Sequence, residues 1–168
     1  HGTLAGKRVR VVGAGNIGLT AVAAARALGA GKVLVTARHP HQADMAKRLG
    51  ADDALAPDGP ALQDAVGDVT DGRGADLCIE TVGGESDTAL RQAIDVTRKQ
   101  GRIVVLGGYR RPITLDWADP LIKEHTIIFS ICYSVLDGRH EQVHVLTLDT
   151  QGKRLGGCRP RILPHVGQ

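Results

Sequence analysis

Apolar positions along this chain alternate between two periods, and the alternation lays out its elements. Short apolar runs read as strands, and the longer stretches between them repeat with helical spacing. Lys7 to Val12 reads as a first strand. Asn16 to Leu28 follows as an Ala-rich helix, stopped by Gly29 and Gly31. Lys32 to Thr36 is a second strand. Pro40 to Leu49 is a helix with proline in its first turn and Gly50 closing it. Asp53 to Ala56 is a short third strand, and Pro60 to Val69 a weaker helix with Leu62, Ala65, Val66 and Val69 on one side. Ala75 to Thr81 is a fourth strand, reached through the turn Asp71 to Gly74. Ser86 to Arg98 is a helix with Ser86 as N-cap. Arg102 to Leu106 is a fifth strand, almost wholly apolar and therefore central. A short helix runs from Trp117 to about His125, and Thr126 to Ile131 is a sixth strand.

This succession predicts one α/β domain over residues 1–168, a doubly wound parallel sheet of about six strands in three α/β/α layers. In such a sheet a ligand lies across the carboxyl ends of the strands, where the winding reverses. Residues 135–168 are harder to read. Glu141 to Gln151 reads as a helix of poor periodicity, and Arg161 to Leu163 as a lone strand.

Composition narrows the picture. Aromatic residues make up 2 % of the chain, against 42 % hydrophobic residues overall, so the core must be built from Val, Ile, Leu and Ala. The net charge of +3 is small and the basic residues are dispersed. A nucleic-acid binder would carry a basic stripe and stacking aromatics, so no nucleic-acid partner is expected. No apolar run approaches the roughly 20 residues of a membrane span, which predicts no membrane partner either. The first residues lack the charged start and apolar stretch of a signal peptide. Cys78, Cys132 and Cys158 are odd in number and far apart, which fits a reducing, cytoplasmic setting. The chain starts without Met and almost on a strand, which suggests a segment of a longer protein.

The most specific local signal is Val9 to Val22, a strand ending in Gly13-Ala14-Gly15-Asn16-Ile17-Gly18 and opening into an apolar helix. Gly13 permits the tight turn, Gly15 lets a pyrophosphate approach the backbone, and Gly18 lets the helix lie close to the sheet. The first amides of that helix, at Asn16 and Ile17, have no internal partner, and the helix dipole adds positive charge there. A dinucleotide diphosphate satisfies both.

The end of the second strand bears on which dinucleotide. NAD sites usually carry an acid about 20 residues past the glycines, bonded to the ribose 2′-OH. Ala37, 19 positions after Gly18, stands there instead. Arg38 follows and can meet a 2′-phosphate through its planar fork. This reading favours NADP over NAD; the alternative is a solvated Arg38 and weak NAD binding. His39 and His41 lie in the same loop and can assist, or simply be exposed.

Four motifs follow one another in order: Gly13–Gly18, Ala46–Asp52 (AKRLGAD), Asp76–Gly83 (DLCIETVG) and Gly101–Gly108 (GRIVVLGG). Together they resemble the Rossmann-type nucleotide-binding domain of the medium-chain dehydrogenase/reductases, the zinc-type alcohol dehydrogenase family, over about residues 7–134. The tail Gly152-Lys153-Arg154 and Ile162 to His165 looks like a worn version of the family's closing segment. The resemblance implies further cofactor contacts. Thr81, Val82 and Gly83 match a loop lining the adenosine ribose and nicotinamide side. Leu106, Gly107 and Gly108 match the loop beneath the nicotinamide, and Ile131 and Cys132 match positions whose backbone faces the carboxamide. Relatives also carry an N-terminal catalytic domain with zinc ligands and a proton relay, and this chain lacks it. Relatives pair through the sixth-strand edge, so a homodimer through Thr126 to Ile131 is expected.

The residues present suggest no catalytic group and no metal site of their own. Zinc needs three or four convergent ligands. His140 and His144 would share a helical face, but no third ligand has the spacing. Cys78 reads as core packing, and Glu80, with no His or Lys near it in sequence, as a hydrogen-bonded structural carboxylate. The expected function is therefore the cofactor-binding half of an NADP(H)-dependent oxidoreductase acting on a small alcohol or carbonyl. The alternative is a stand-alone module that senses dinucleotide level, with a methyltransferase as a third reading whose motif order fits badly.

Overall fold

The computed structural model describes residues 3–57, 72–130 and the backbone of residues 146–147. The strands are β1 (Arg8–Val12), β2 (Lys32–Thr36), β3 (Asp53–Leu55), β4 (Ala75–Glu80), β5 (Thr97–Val105), β6 (Thr126–Phe129) and β7 (Leu146–Thr147). They form one sheet in the order β3-β2-β1-β4-β5-β6-β7. The first six run parallel, and β7 is antiparallel to β6. The winding reverses between β1 and β4, which places a crevice at the carboxyl ends of these two strands. The helices are α1 (Asn16–Ala27), α2 (Pro40–Arg48), α3 (Thr88–Val96) and α4 (Ala118–Ile122).

Strand periodicity sorts the core onto two faces. Val9, Val11, Val33 and Val35 point to one side, where they pack with Val22 and Ala25 of α1 and Ala46 of α2. Val12, Leu34, Cys78, Ile103 and Val105 point to the other, against Leu90, Ala93 and Ile94 of α3. Arg10 falls between Val9 and Val11 and is 1 % exposed, with no acceptor for its guanidinium among the described residues. Burial pushes the Cys78 thiol up to about 12, with Arg10 and Thr97 acting in the opposite direction and Glu80 adding to the rise. A thiol so protonated is neither nucleophile nor metal ligand.

Most predicted elements stand within one or two residues of the observed ones, and four differ: α3, β5, the tail, and the short helix expected from Trp117 to about His125, which runs from Ala118 to Ile122. The helix expected over Ser86–Arg98 runs from Thr88 to Val96 with Asp87 at its N-cap. The Asp87 carboxylate pairs with Arg91 at 2.8 Å, while Ser86 Oγ accepts the Thr88 amide at 3.2 Å. At its far end Thr97 turns to an extended conformation and donates its hydroxyl to the Ala93 carbonyl at 2.6 Å. That ends the helix early and starts β5 five residues before the expected Arg102. The pairing of β4 with β5 accommodates this by a register shift between Ala75 and Leu77, with Gln100 at φ 57°. In the tail, the helix expected over Glu141–Gln151 is contradicted at Leu146–Thr147, which pair as a strand with Ile128 and Phe129. Hydrogen bonding to an open edge outweighs a weak helical repeat. The same pairing sets β7 along β6 opposite Ile128 and Phe129, on the edge through which a homodimer is expected. The expected helix Pro60–Val69, the strand Arg161–Leu163 and the pair His140/His144 lie outside the described residues.

His125, between α4 and β6, is 7 % exposed and donates Nε2–H to the Thr97 carbonyl at 3.2 Å. Its Nδ1 is buried with no partner among the described residues. Burial holds its pKa below the usual histidine value, reinforced by Lys123 and opposed by backbone hydrogen bonds and by Asp119. A depressed histidine pKa means that the unfolded chain takes up a proton that the folded chain refuses. Stability is then lost as pH falls from about 6.5 toward the folded value, by up to about 1.4 kcal/mol per pH unit. The urea midpoint is therefore expected to drop between about pH 7 and pH 5.5, and His125→Gln to shrink that drop. An identical drop in the variant would refute the assignment.

Candidate nucleotide-binding site

The site is assembled where β1 ends. Gly13 sits at φ 97°, and its amide donates to Thr36 Oγ1 at 2.9 Å, tying the turn to the end of β2. From the other side, Thr81 donates its hydroxyl to the Val12 carbonyl at 2.8 Å and its amide to the same oxygen at 3.0 Å. Gly18 is wedged into this junction. A Cβ there would stand 1.9 Å from the Gly13 carbonyl oxygen and 3.0 Å from Thr81 Oγ1. The third glycine thus brings α1 against the turn itself, a closer approach than contact with the sheet alone requires.

Gly15 is different. A Cβ there would meet nothing within 4 Å. It is the N-cap of α1, with no side-chain cap, and the first turn holds no acidic residue. The first internal bond of the helix is Leu19 N–H to the Gly15 carbonyl at 2.9 Å. The mouth of α1 therefore keeps its donor character, reinforced by the helix dipole.

A cleft of roughly 640 Å³ opens at this point. Of the residues singled out from sequence, Gly13, Gly15, Arg38, Thr81, Val82 and Gly83 border it. Asn16, Ile17 and Gly18 form the first turn of α1 and are not among the residues that border the cleft. Ala37 is buried at the tip of β2, its amide bonded to the Leu55 carbonyl at 2.9 Å. Arg38 is exposed and makes no hydrogen bond or ion pair with any described residue. His39 borders the cleft, and the His41 ring stacks on it with centroids 5.5 Å apart. Ile131 and Cys132 lie outside the described residues.

Leu106, Gly107 and Gly108 do not line the cleft but brace the loop that does. A Cβ on Gly83 would come within 2.5 Å of the Gly108 backbone, and one on Gly107 within 2.3 Å of the Gly83 amide. The Gly84 amide donates to the Gly108 carbonyl at 2.8 Å. The structural role read for Glu80 agrees with its place. It is fully buried and its Oε1 accepts the Val82 and Gly83 amides at 2.6 and 2.9 Å.

The rest of the wall escaped the sequence reading. Thr36, Gln42, Pro57, Glu85, Thr88 and Gln92 all border the cleft. Gln92 closes one side by donating Nε2–H to the Pro57 carbonyl at 2.9 Å, a contact across 35 residues. Their common signal is position at or just past a strand end or on the first turns of the next helix, where a doubly wound sheet collects its ligand contacts.

A concave site with an uncapped helix mouth, an approachable glycine and a cation at the far strand suits a phosphorylated dinucleotide. The same residues do not suit zinc. Among the described residues, no three His, Cys, Asp or Glu side chains converge to hold a metal ion.

Comparison with known proteins bears on the family. A family model described as zinc-binding dehydrogenase matches residues 16–148. The L-threonine 3-dehydrogenase of Pyrococcus horikoshii is 34 % identical over 139 residues, covering 83 % of this chain and 38 % of that protein. The same enzyme from Bacillus licheniformis is 36 % identical over 121 residues, covering 72 % and 34 %. Among solved structures, an alcohol dehydrogenase from Thermus sp. ATN1 superposes with a TM-score of 0.70 at 31 % identity, covering 76 % of this chain and 36 % of that one. A Sinorhizobium meliloti 1021 protein of the zinc-binding dehydrogenase type, solved bound to NADP, superposes with a TM-score of 0.67 at 27 % identity, covering 74 % and 37 %. The chain spans little more than a third of the length of these relatives. Motif order, strand order and these matches agree that the chain belongs to the zinc-binding dehydrogenase family, of which it carries the nucleotide-binding domain.

Proposed function

We propose that this domain holds NADP(H) for an oxidoreductase that moves a hydride between a small alcohol and a carbonyl. The observation that carries the reading is the tip of β2, where Arg38 borders the cleft and alanine stands where an NAD site would carry an acid. The nicotinamide would supply the hydride chemistry, while this chain supplies grip, orientation and charge.

The roles follow the sheet. The amides at the mouth of α1 bind the pyrophosphate. Arg38, with His39 beside it, meets the 2′-phosphate of the adenosine ribose. Thr81, Val82 and Gly83 line the remaining half from β4, and Leu106, Gly107 and Gly108 back them from β5. Ile131 and Cys132 are assigned to the carboxamide. Zinc and the proton relay would belong to a separate catalytic domain, so the chain alone is expected to bind cofactor and turn over nothing. A cytoplasmic setting fits the buried, protonated Cys78. Among the described residues no helix is long and apolar enough to cross a membrane.

Titration calorimetry of the chain with NADPH and with NADH is the direct test. Saturable NADPH binding, tighter than NADH by about tenfold or more, is the expected result. Equal affinities would remove the NADP assignment, and no binding of either would remove the function.

A further inference from the structure

Two loops of the site are tied to one residue, one through its side chain and the other through its backbone. The Thr81–Gly83 loop follows β4 and the Leu106–Gly108 loop follows β5, and Glu80 bonds to both. Its carboxylate Oε1 accepts the amides of Val82 at 2.6 Å and Gly83 at 2.9 Å. Its backbone carbonyl accepts the amides of Leu106 at 2.8 Å and Gly107 at 3.2 Å. We propose that Glu80 is a positioning residue for the half of the dinucleotide beyond the pyrophosphate, holding the Thr81–Gly83 loop on which that half rests against the Leu106–Gly108 loop that braces it. The inference deepens the dinucleotide reading and depends on it.

The topology assigns the halves. With strand order 3-2-1-4-5-6, one mononucleotide lies over β1 and β2 and the other over β4 and β5. Arg38 at the end of β2 takes the adenosine side, so the β4 and β5 loops face the nicotinamide side. Neither loop has regular structure to hold its amides. A buried amide without an acceptor is costly, and the Gly83 amide is buried. The Glu80 carboxylate is therefore the anchor of the first loop. The second loop is registered against the first by the Gly83–Gly107 approach and the Gly84–Gly108 hydrogen bond, so a shift in one carries the other.

The other carboxylate oxygen leaves no slack. Glu80 Oε2 lies 2.5 Å from where a Cβ on Gly107 would stand, and it has no partner among the described residues. Tyr109 Oη is likewise buried and unpartnered among them. Burial, with the neighbouring Glu80, pushes the Tyr109 phenol above its usual value, so it stays an O–H donor beside this carboxylate. These groups belong to no catalytic step assigned above. They set the shape of the site.

The test compares two ligands on the full chain. NADPH reports both halves of the site, and 2′,5′-ADP reports the adenosine half alone. Glu80→Ala is expected to weaken NADPH about tenfold or more, for the loss of two charge-assisted bonds, while 2′,5′-ADP stays within about twofold. Glu80→Gln keeps a carbonyl oxygen for Val82 and Gly83 and is expected to stay within about threefold of the parent for both ligands. If Glu80→Ala does not fold, Glu80→Asp carries the test, because its shorter side chain withdraws from both amides and should weaken NADPH alone. Unchanged NADPH affinity in the Ala or Asp variant overturns the proposal, and so does a parallel loss of both ligands, which marks a general structural role. If the parent chain binds neither ligand, the dinucleotide reading fails first. If it binds both and Glu80 is indifferent, only this inference fails.

Discussion

Replacing Arg38 by alanine is expected to cost about ten- to a hundredfold in NADPH affinity while leaving NADH within about threefold. The argument is electrostatic. Arg38 extends from the exposed tip of β2, borders the cleft, and forms no ion pair with any described residue. Its guanidinium fork matches a phosphate, and a charge-assisted hydrogen bond is worth roughly 1.5–3 kcal/mol, about one to two decades in Kd. NADH lacks the 2′-phosphate and so cannot feel the loss. Ala37 sharpens the contrast, because no acid stands there to repel the phosphate or hold a bare 2′-OH. The loss should shrink with added salt, since the site is open to solvent. Calorimetry with both cofactors at two ionic strengths decides it. If the ratio of the two affinities is unmoved in Arg38→Ala, Arg38 is a solvated side chain and the cofactor assignment falls.

The second large effect separates two glycines of the same turn. Gly18→Ala puts a methyl group 1.9 Å from the Gly13 carbonyl oxygen, a backbone atom that cannot swing aside. α1 must lift off the turn, at a cost of about 1–3 kcal/mol for overpacking. The displaced amides should lose the phosphate as well, weakening dinucleotide binding at least about tenfold. Gly15→Ala meets no atom within 4 Å, and its backbone φ of −76° suits any residue. Its stability cost should stay below about 1 kcal/mol, the scale of an N-cap change. Its methyl group nevertheless stands where the pyrophosphate approaches, so binding should weaken without a matching loss of melting temperature. Thermal unfolding and calorimetry on the two variants give the comparison. Equal melting temperatures for Gly18→Ala and the parent would show that the turn is looser than its geometry states.

The sequence alone determined much of this protein, and the reason is range. The first β–α–β–α segment was legible because its instructions are local: apolar alternation, a glycine turn, an Ala-rich helix, Pro40 at a helix start and Gly50 past its end. The doubly wound parallel sheet followed from the alternation of strands and helices, and the four ordered motifs carried the family. Tertiary structure decided whatever depends on residues far apart in the chain. Nothing around Thr97 announces that its hydroxyl will end α3, and nothing near Leu146 announces that the edge of β6 will draw it into a strand. In sequence, Glu80 is one acid at the end of an apolar strand. Its role comes from packing, which sets the residue between two loops more than twenty residues apart, two amides of one turned toward its carboxylate and two of the other toward its backbone carbonyl. Thr36, Gln92 and Pro57 are likewise ordinary residues until the sheet winds them onto one cleft. Short-range propensity chooses the elements, but hydrogen bonds and exclusion between distant backbones choose how their ends meet, and the site is made of those ends.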